Sequence, residues 1–410
     1  MTKRLTTAAL AFLAMAGHAS AEDIKIGVVA TLEGAFTALG EDGVRGVQMA
    51  VAEFGDTLGE KIILTTASSD ATPASAVAAT RKLVENDGLR FVVGPLSGDE
   101  GRAVKDYAKS QPGTTFVNGT SAAQDTTLRE PAPNFFRFST DGAQWMAGLG
   151  TYSHDTKGYK SVAVVAEDYS FPYTQVFGFM HEFCAAGGHV PEKFWVPIGQ
   201  KDYSSVVASI PDSIDGIFVG LSGADAVNFL TQYAQAGGDK PIIASTFTAD
   251  QTILSSKGRF KDYLIGTPSA GPTADSWDGP EWQAFVAAYQ KQFPDGFPGP
   301  SLAAYTYYVN TKALLLALKE AGGDLGQDHE RLNAILSKIS FTSPMGGTIR
   351  LDDKRQAISD NFVTEVAEDA DGHLYNKVVA QAEQIDQTLG MSRDAFLALG
   401  PVSRDNPSCP

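Results

Sequence analysis

The sequence predicts an α/β protein made of two doubly wound, Rossmann-like lobes joined by a hinge of three crossings. Three observations carry this. Short β-rich runs alternate with helical runs through the N-terminal third, a pattern that calls for right-handed βαβ crossovers and a parallel sheet. The same alternation restarts after Asp141. The chain has 410 residues, more than one hydrophobic core usually holds.

Taken in order, the run from Ile24 to Ala30 reads as a strand, and Val44, Val47, Val51 and Phe54 then recur at helical spacing. A strand over 61–66, a helix over 74–85, a strand over 90–94, a helix over 100–110 and a strand over 115–117 complete the first unit. The second opens with a helix through Trp145 and Met146. Strands over 161–166, 193–196, 215–220 and 241–245 follow, with helices over 174–186 and 224–236 that end at Gly187-Gly188 and Gly237-Gly238. Glycine there supplies the left-handed residue that closes a helix. Helices over 281–293 and 302–321 are expected to return to the first lobe. The runs 347–351 and 361–366 then read as antiparallel strands. With crossings near Asp141, near Gly271-Pro272 and near Pro344-Met345-Gly346, lobe 1 is expected to comprise 22–140 and 271–344. Lobe 2 would comprise 141–270 and 345–390, leaving 391–410 as a C-terminal tail. No low-complexity linker separates them.

Ahead of this lies a basic start, Lys3-Arg4, an apolar stretch from Ala8 to Ala16, and Ala19-Ser20-Ala21. That is the layout of a secretory signal peptide, with cleavage expected after Ala21 and export to the periplasm. The apolar stretch is short of the roughly 20 residues a spanning helix needs. The formal net charge is −16, and basic residues are not clustered, which argues against a nucleic-acid partner and for a soluble monomer. Cys184 and Cys409, in an oxidising compartment, fit either a disulfide that ties the tail to the body or two independent thiols. The six histidines are scattered in sequence, so neither a metal site nor a cofactor is expected. The chain contains no Gly-x-Ser-x-Gly elbow, no phosphate-binding Lys-Ser or Lys-Thr loop and no His-Glu-x-x-His pair, so an enzyme is not expected.

The order of elements resembles the branched-chain-amino-acid-binding family of periplasmic proteins, with the type I periplasmic binding protein fold. Thr31-Leu32-Glu33-Gly34-Ala35-Phe36 is similar to the family's first loop, with Ala35 where a proline is usual. Three stretches resemble the subgroup associated with aromatic compounds: Ala166 to Tyr173, Phe218 to Ala226, and the ending Ser403 to Cys409. The resemblance implies a solute-binding receptor of an ABC importer that closes its lobes on a small-molecule ligand and docks on a membrane permease. A periplasmic sensory subunit is the alternative partner role.

Ligands of open α/β sheets sit beyond the carboxyl ends of the strands. The resemblance places Ser97, Thr120 and Ser121 around a ligand carboxylate, although serine at such positions also serves as an ordinary helix cap. It makes Tyr169 the cleft tyrosine, with Phe171 a weaker candidate. Ser222, Thr246 and Phe247 are offered by the two following strand ends. Thr246 aligns where amino-acid-binding members carry the glutamate that meets the ligand's ammonium group. A buried ammonium without a carboxylate is costly; Glu33, Asp99, Glu100 or Asp250 would have to substitute. Phe36, Tyr169 and Phe247 would instead build an apolar slot suited to an aromatic acid.

Overall fold

The computed structural model describes residues 23–409; the expected signal peptide lies outside the described residues. In the first lobe, β1 (Ile24–Thr31), α1 (Thr37–Phe54), β2 (Ile62–Ser69), α2 (Pro73–Arg81), β3 (Phe91–Val93), α3 (Gly98–Ala108), β4 (Thr115–Val117) and β5 (Phe135–Phe136) follow one another. Their strands form a parallel sheet in the order β2-β1-β3-β4-β5. From Ile26 onward β1 is buried at every residue, as expected of a strand covered by helices on both faces.

The second lobe holds α4 (Gly142–Trp145), α5 (Leu149–Thr151), β6 (Val162–Glu167), α6 (Ser170–Ala185), β7 (Lys193–Val196), α7 (Ser204–Ser209), β8 (Gly216–Gly220), α8 (Gly223–Gln235), β9 (Ile242–Ala244) and α9 (Gln251–Leu254). Its sheet is again parallel, in the order β7-β6-β8-β9.

The chain then runs through β10 (Pro268–Gly271) into α10 (Pro280–Gln292), α11 (Leu302–Ala321) and α12 (Glu330–Leu336), which cover lobe 1. Tyr307 of α11 donates to the Val29 carbonyl of β1 at 2.8 Å, and Tyr289 of α10 donates to Asp42 of α1 at 2.5 Å. Next come β11 (Ser340–Thr342), β12 (Thr348–Leu351), β13 (Ala357–Glu368), β14 (Leu374–Ile385) and α13 (Arg393–Ala398). β10, β13, β12 and β11 form an antiparallel sheet with β14 on the other edge of β13. β13 starts beside Arg137 of lobe 1, whose neighbour in a parallel bridge is Gln356, and near its other end places Val366 in the lobe 2 core. It and β10 are therefore hinge strands. The fold is the type I binding-protein architecture of two Rossmann-like lobes.

Candidate functional site

The carboxyl ends of both parallel sheets face one another across a closed seam. One hydrophobic cluster runs from Phe36 and Leu39 of lobe 1 through Tyr169 and Phe171 to Phe218 and Phe247 of lobe 2. Two glycines permit this approach. A Cβ on Gly98, at the start of α3, would lie 2.8 Å from Ser170 Oγ and 3.0 Å from Phe171 N at the start of α6. One on Gly223, whose φ is +51°, would lie 2.4 Å from the Ala35 carbonyl oxygen. The Gln124 N–H donates across the seam to Thr174 Oγ1 at 3.4 Å.

Five rings meet here. Phe36 and Tyr169 have ring centres 6.2 Å apart, as do Tyr169 and Phe171; Phe171 lies 5.5 Å from Phe247, and Trp145 lies 5.7 Å from Phe171 and 6.1 Å from Phe247. The last three contacts are edge-to-face, the geometry that ring quadrupoles favour. The structure thus brings Phe36, Tyr169 and Phe247 together. It adds Trp145, which is not among the candidates read from the sequence: its position in a four-residue helix after the first crossing gives no periodic signal. Burial, with Glu167 close by, pushes the Tyr169 hydroxyl well above its ordinary range.

The polar candidates are wired differently. Ser97 caps α3, its Oγ accepting from the Glu100 N–H at 3.4 Å and donating to the Ala71 carbonyl at 3.0 Å. Glu100 closes the capping box by accepting from the Ser97 N–H at 2.8 Å. The Thr120 hydroxyl bonds Thr306 at 2.7 Å, and the Ser121 hydroxyl donates to Asn118 at 2.6 Å. Their N–H groups both turn to the Pro95 carbonyl, at 3.0 and 3.3 Å. All three hydroxyls are therefore engaged within lobe 1. Thr246 accepts from Gln175 and donates to the Ala270 carbonyl of β10, each at 2.8 Å, which ties it to the hinge. Ser222 immediately precedes α8, and its N–H donates to Glu167 at 2.9 Å.

The acids named as substitutes are also accounted for. Glu33 accepts from Ser68, and Glu100 from Thr31 as well as Ser97. Asp250 accepts the N–H groups of Thr252 and Leu302; burial pushes its carboxyl up to about 6. Asp99 pairs with Arg102 at 3.7 Å. Sequence reasoning did not single out Glu167. It is buried, its Oε2 lacks a hydrogen-bond partner, and burial holds its carboxyl well above the usual range.

At the mouth of the seam a cavity of about 250 Å³ is lined from lobe 1 by Asp99, Arg102 and Gln124, from lobe 2 by Asp168, Tyr169 and Ser170, and from the tail by residues 401–403. Gln124 Nε2 and Ser170 Oγ are both buried without a hydrogen-bond partner. Cys184 and Cys409 are joined by a disulfide with Cα atoms 5.5 Å apart.

Two parallel-sheet lobes closed over an aromatic seam and hinged by long strands define a solute-binding protein. The family profile described as periplasmic binding protein matches residues 23–372, and the chain belongs to that family, whose members are substrate-binding proteins of transporters rather than enzymes. It is similar to Leu/Ile/Val-binding protein homolog 6 of Brucella melitensis biotype 1, with 26% identity over 390 residues, 93% of this chain and 97% of that protein. Among solved structures it resembles an ABC transporter substrate-binding protein from Sphaerobacter thermophilus, at 27% identity and a TM-score of 0.79, covering 89% of this chain and 99% of that one. A solute-binding protein from Rhodopseudomonas palustris BisB5, solved with 3,4-dihydroxybenzoic acid, superposes with a TM-score of 0.80 at 24% identity, covering 89% and 98%. Among the described residues no helix is long and apolar enough to cross a membrane.

Proposed function

We propose that this protein captures a small aromatic carboxylate between its lobes and presents it to the membrane permease of an ABC transporter. The observation that carries this reading is the ring cluster of Phe36, Trp145, Tyr169, Phe171 and Phe247 at the seam. Rings drawn from both lobes give a flat apolar ligand contacts in the closed state that the open state lacks. Ligand therefore shifts the population toward closure. Thr246, bonded to the hinge, supplies no carboxylate for an ammonium group, which favours an acid over an α-amino acid. Gln124 Nε2 and Ser170 Oγ are donors without partners beside Tyr169, and they suit a carboxylate better than the engaged hydroxyls of Ser97, Thr120 and Ser121. The dihydroxybenzoic acid bound by the R. palustris neighbour agrees with this reading.

A second reading, a branched-chain amino-acid receptor, is favoured by the name of the Brucella relative. Thermal-shift measurements on the mature protein with benzoate, 4-hydroxybenzoate, leucine and valine separate the two, because binding to the folded state alone raises the melting temperature. A rise with the aromatic acids only is expected; a rise with leucine or valine only would replace the first reading by the second.

A further inference from the structure

The C-terminal segment beyond β14 is not a loose end. Gln387 donates to the Gln124 carbonyl and to Thr127 in lobe 1, each at 3.2 Å, and to Asp141 at the first crossing at 2.8 Å. Arg393 reaches Asp352 and Asp353, at 3.1 and 3.2 Å, on the turn before β13. Phe396 of α13 then sits in a small apolar cluster with Leu128 of lobe 1, Ala143 at the crossing and Phe177 of lobe 2. Its ring is 5.7 Å from that of Phe177, edge to face. Further on, the Arg404 guanidinium forks onto the carboxylate of Asp168, the residue directly after β6. Lys193 donates to the Pro407 carbonyl at 2.9 Å. The Cys184–Cys409 disulfide anchors the far end to α6. Between these anchors, residues 401–403 line the cavity at the mouth of the seam opposite Asp99, Arg102 and Gln124.

We propose that residues 386–409 form a strap that bridges the two lobes and walls the mouth of the cleft, so that its attachment governs how readily the lobes part and how fast ligand is exchanged. One half grips lobe 1 and the crossing, and the other is fixed to lobe 2. Opening must therefore either break the Phe396 cluster and the Gln387 bonds or peel the Arg404 end from Asp168. The covalent tie at Cys409 holds the second end, leaving the noncovalent Gln387 and Phe396 contacts as the ones that yield. As a wall of the ligand cleft the strap rests on the proposed function; as a bridge between lobes it does not.

The test compares the full chain with Cys184→Ser/Cys409→Ser, Arg404→Ala and a chain ending after Gly390. Two readouts are used: hydrogen exchange at the Gln124 and Gly142 amides without ligand, and the release rate of benzoate followed by Trp145 fluorescence. Exchange at these amides and benzoate release are expected to rise by about tenfold in the shortened chain, the weight of one or two hydrogen bonds, and by less in the point variants. Unchanged amide exchange in the variants that remain folded would overturn the strap. Should the shortened chain not fold, the two full-length variants decide by the same comparison. Failure of the wild-type protein to bind benzoate would remove the aromatic-acid reading, and amide exchange would still decide the strap.

Discussion

Ser97 and Tyr169 stand for the two kinds of residue that a strand-end reading of the sequence brings forward. Ser97 is 2% exposed and satisfied by a capping box, so Ser97→Ala should cost about 1 kcal/mol of stability, as caps do, and leave benzoate affinity unchanged. A large loss of affinity with unchanged urea midpoint would instead make it a ligand contact. Tyr169 offers its ring to Phe36 and Phe171. Tyr169→Ala should weaken benzoate binding by roughly tenfold or more, the loss of an aromatic contact and its buried area, whereas Tyr169→Phe should stay within about threefold if the ring face carries the interaction. Equal losses in both variants would transfer the role to the hydroxyl. Phe36, Tyr169 and Phe247 were legible as candidates because they fall in loops that follow parallel strands, where an open α/β sheet meets its ligand; Trp145, on a short helix after the first crossing, was not. The fate of the hydroxyls was not, since a serine that caps a helix and one that greets a ligand occupy the same sequence position. Only the Pro95 carbonyl and Thr306, brought close by the tertiary fold, distinguish them for Thr120.

The alternation of apolar strands and amphipathic helices exposed both parallel sheets, because a strand covered on two faces must be apolar throughout, as β6 is at Val162–Glu167 with the single exception of Glu167. β14 escaped notice. It is an edge strand with much of its length exposed, and its Asn-Lys and Gln-Ala-Glu-Gln stretches lack the apolar run that reveals a strand. α9 shows how an element end couples the lobes: its cap, Asp250, also accepts from the Leu302 N–H of α11 at 2.8 Å. Its carboxyl is raised from 3.8 to about 6 by burial. A raised acid holds its proton more tightly when folded, so this contribution to stability is complete below the ordinary value and is lost as pH climbs through the raised one. The shift corresponds to about 3 kcal/mol. Urea unfolding at pH 4 and pH 7 should show wild type losing about 2 kcal/mol more than Asp250→Asn over the interval, since part of the contribution is already lost at pH 4; parallel pH dependence in the two proteins would refute it.

At the scale of the whole molecule the seam depends on how closely two rigid lobes approach, and that distance is set by the smallest residues on it. Gly98 begins α3 and faces the start of α6, and the Cβ it lacks would fall 2.8 Å from Ser170 Oγ and 3.0 Å from the backbone nitrogen of Phe171. The hydroxyl can rotate away; the backbone nitrogen cannot, except by moving α6 with its lobe. Within lobe 1 the same substitution is benign, because Gly98 is not among the residues with positive φ and alanine suits a helix better than glycine by about 1 kcal/mol. Gly98→Ala should therefore leave each lobe folded while it props the lobes apart at the expense of the contacts across the seam. Small-angle scattering should show a larger radius of gyration. Benzoate affinity should fall by about tenfold or more, since each increment of about 1.4 kcal/mol against the closed state is a factor of ten in the population able to bind. A variant with wild-type scattering and wild-type affinity would mean that the lobes accommodate the methyl group by local adjustment and that closure is not limited at α3 and α6.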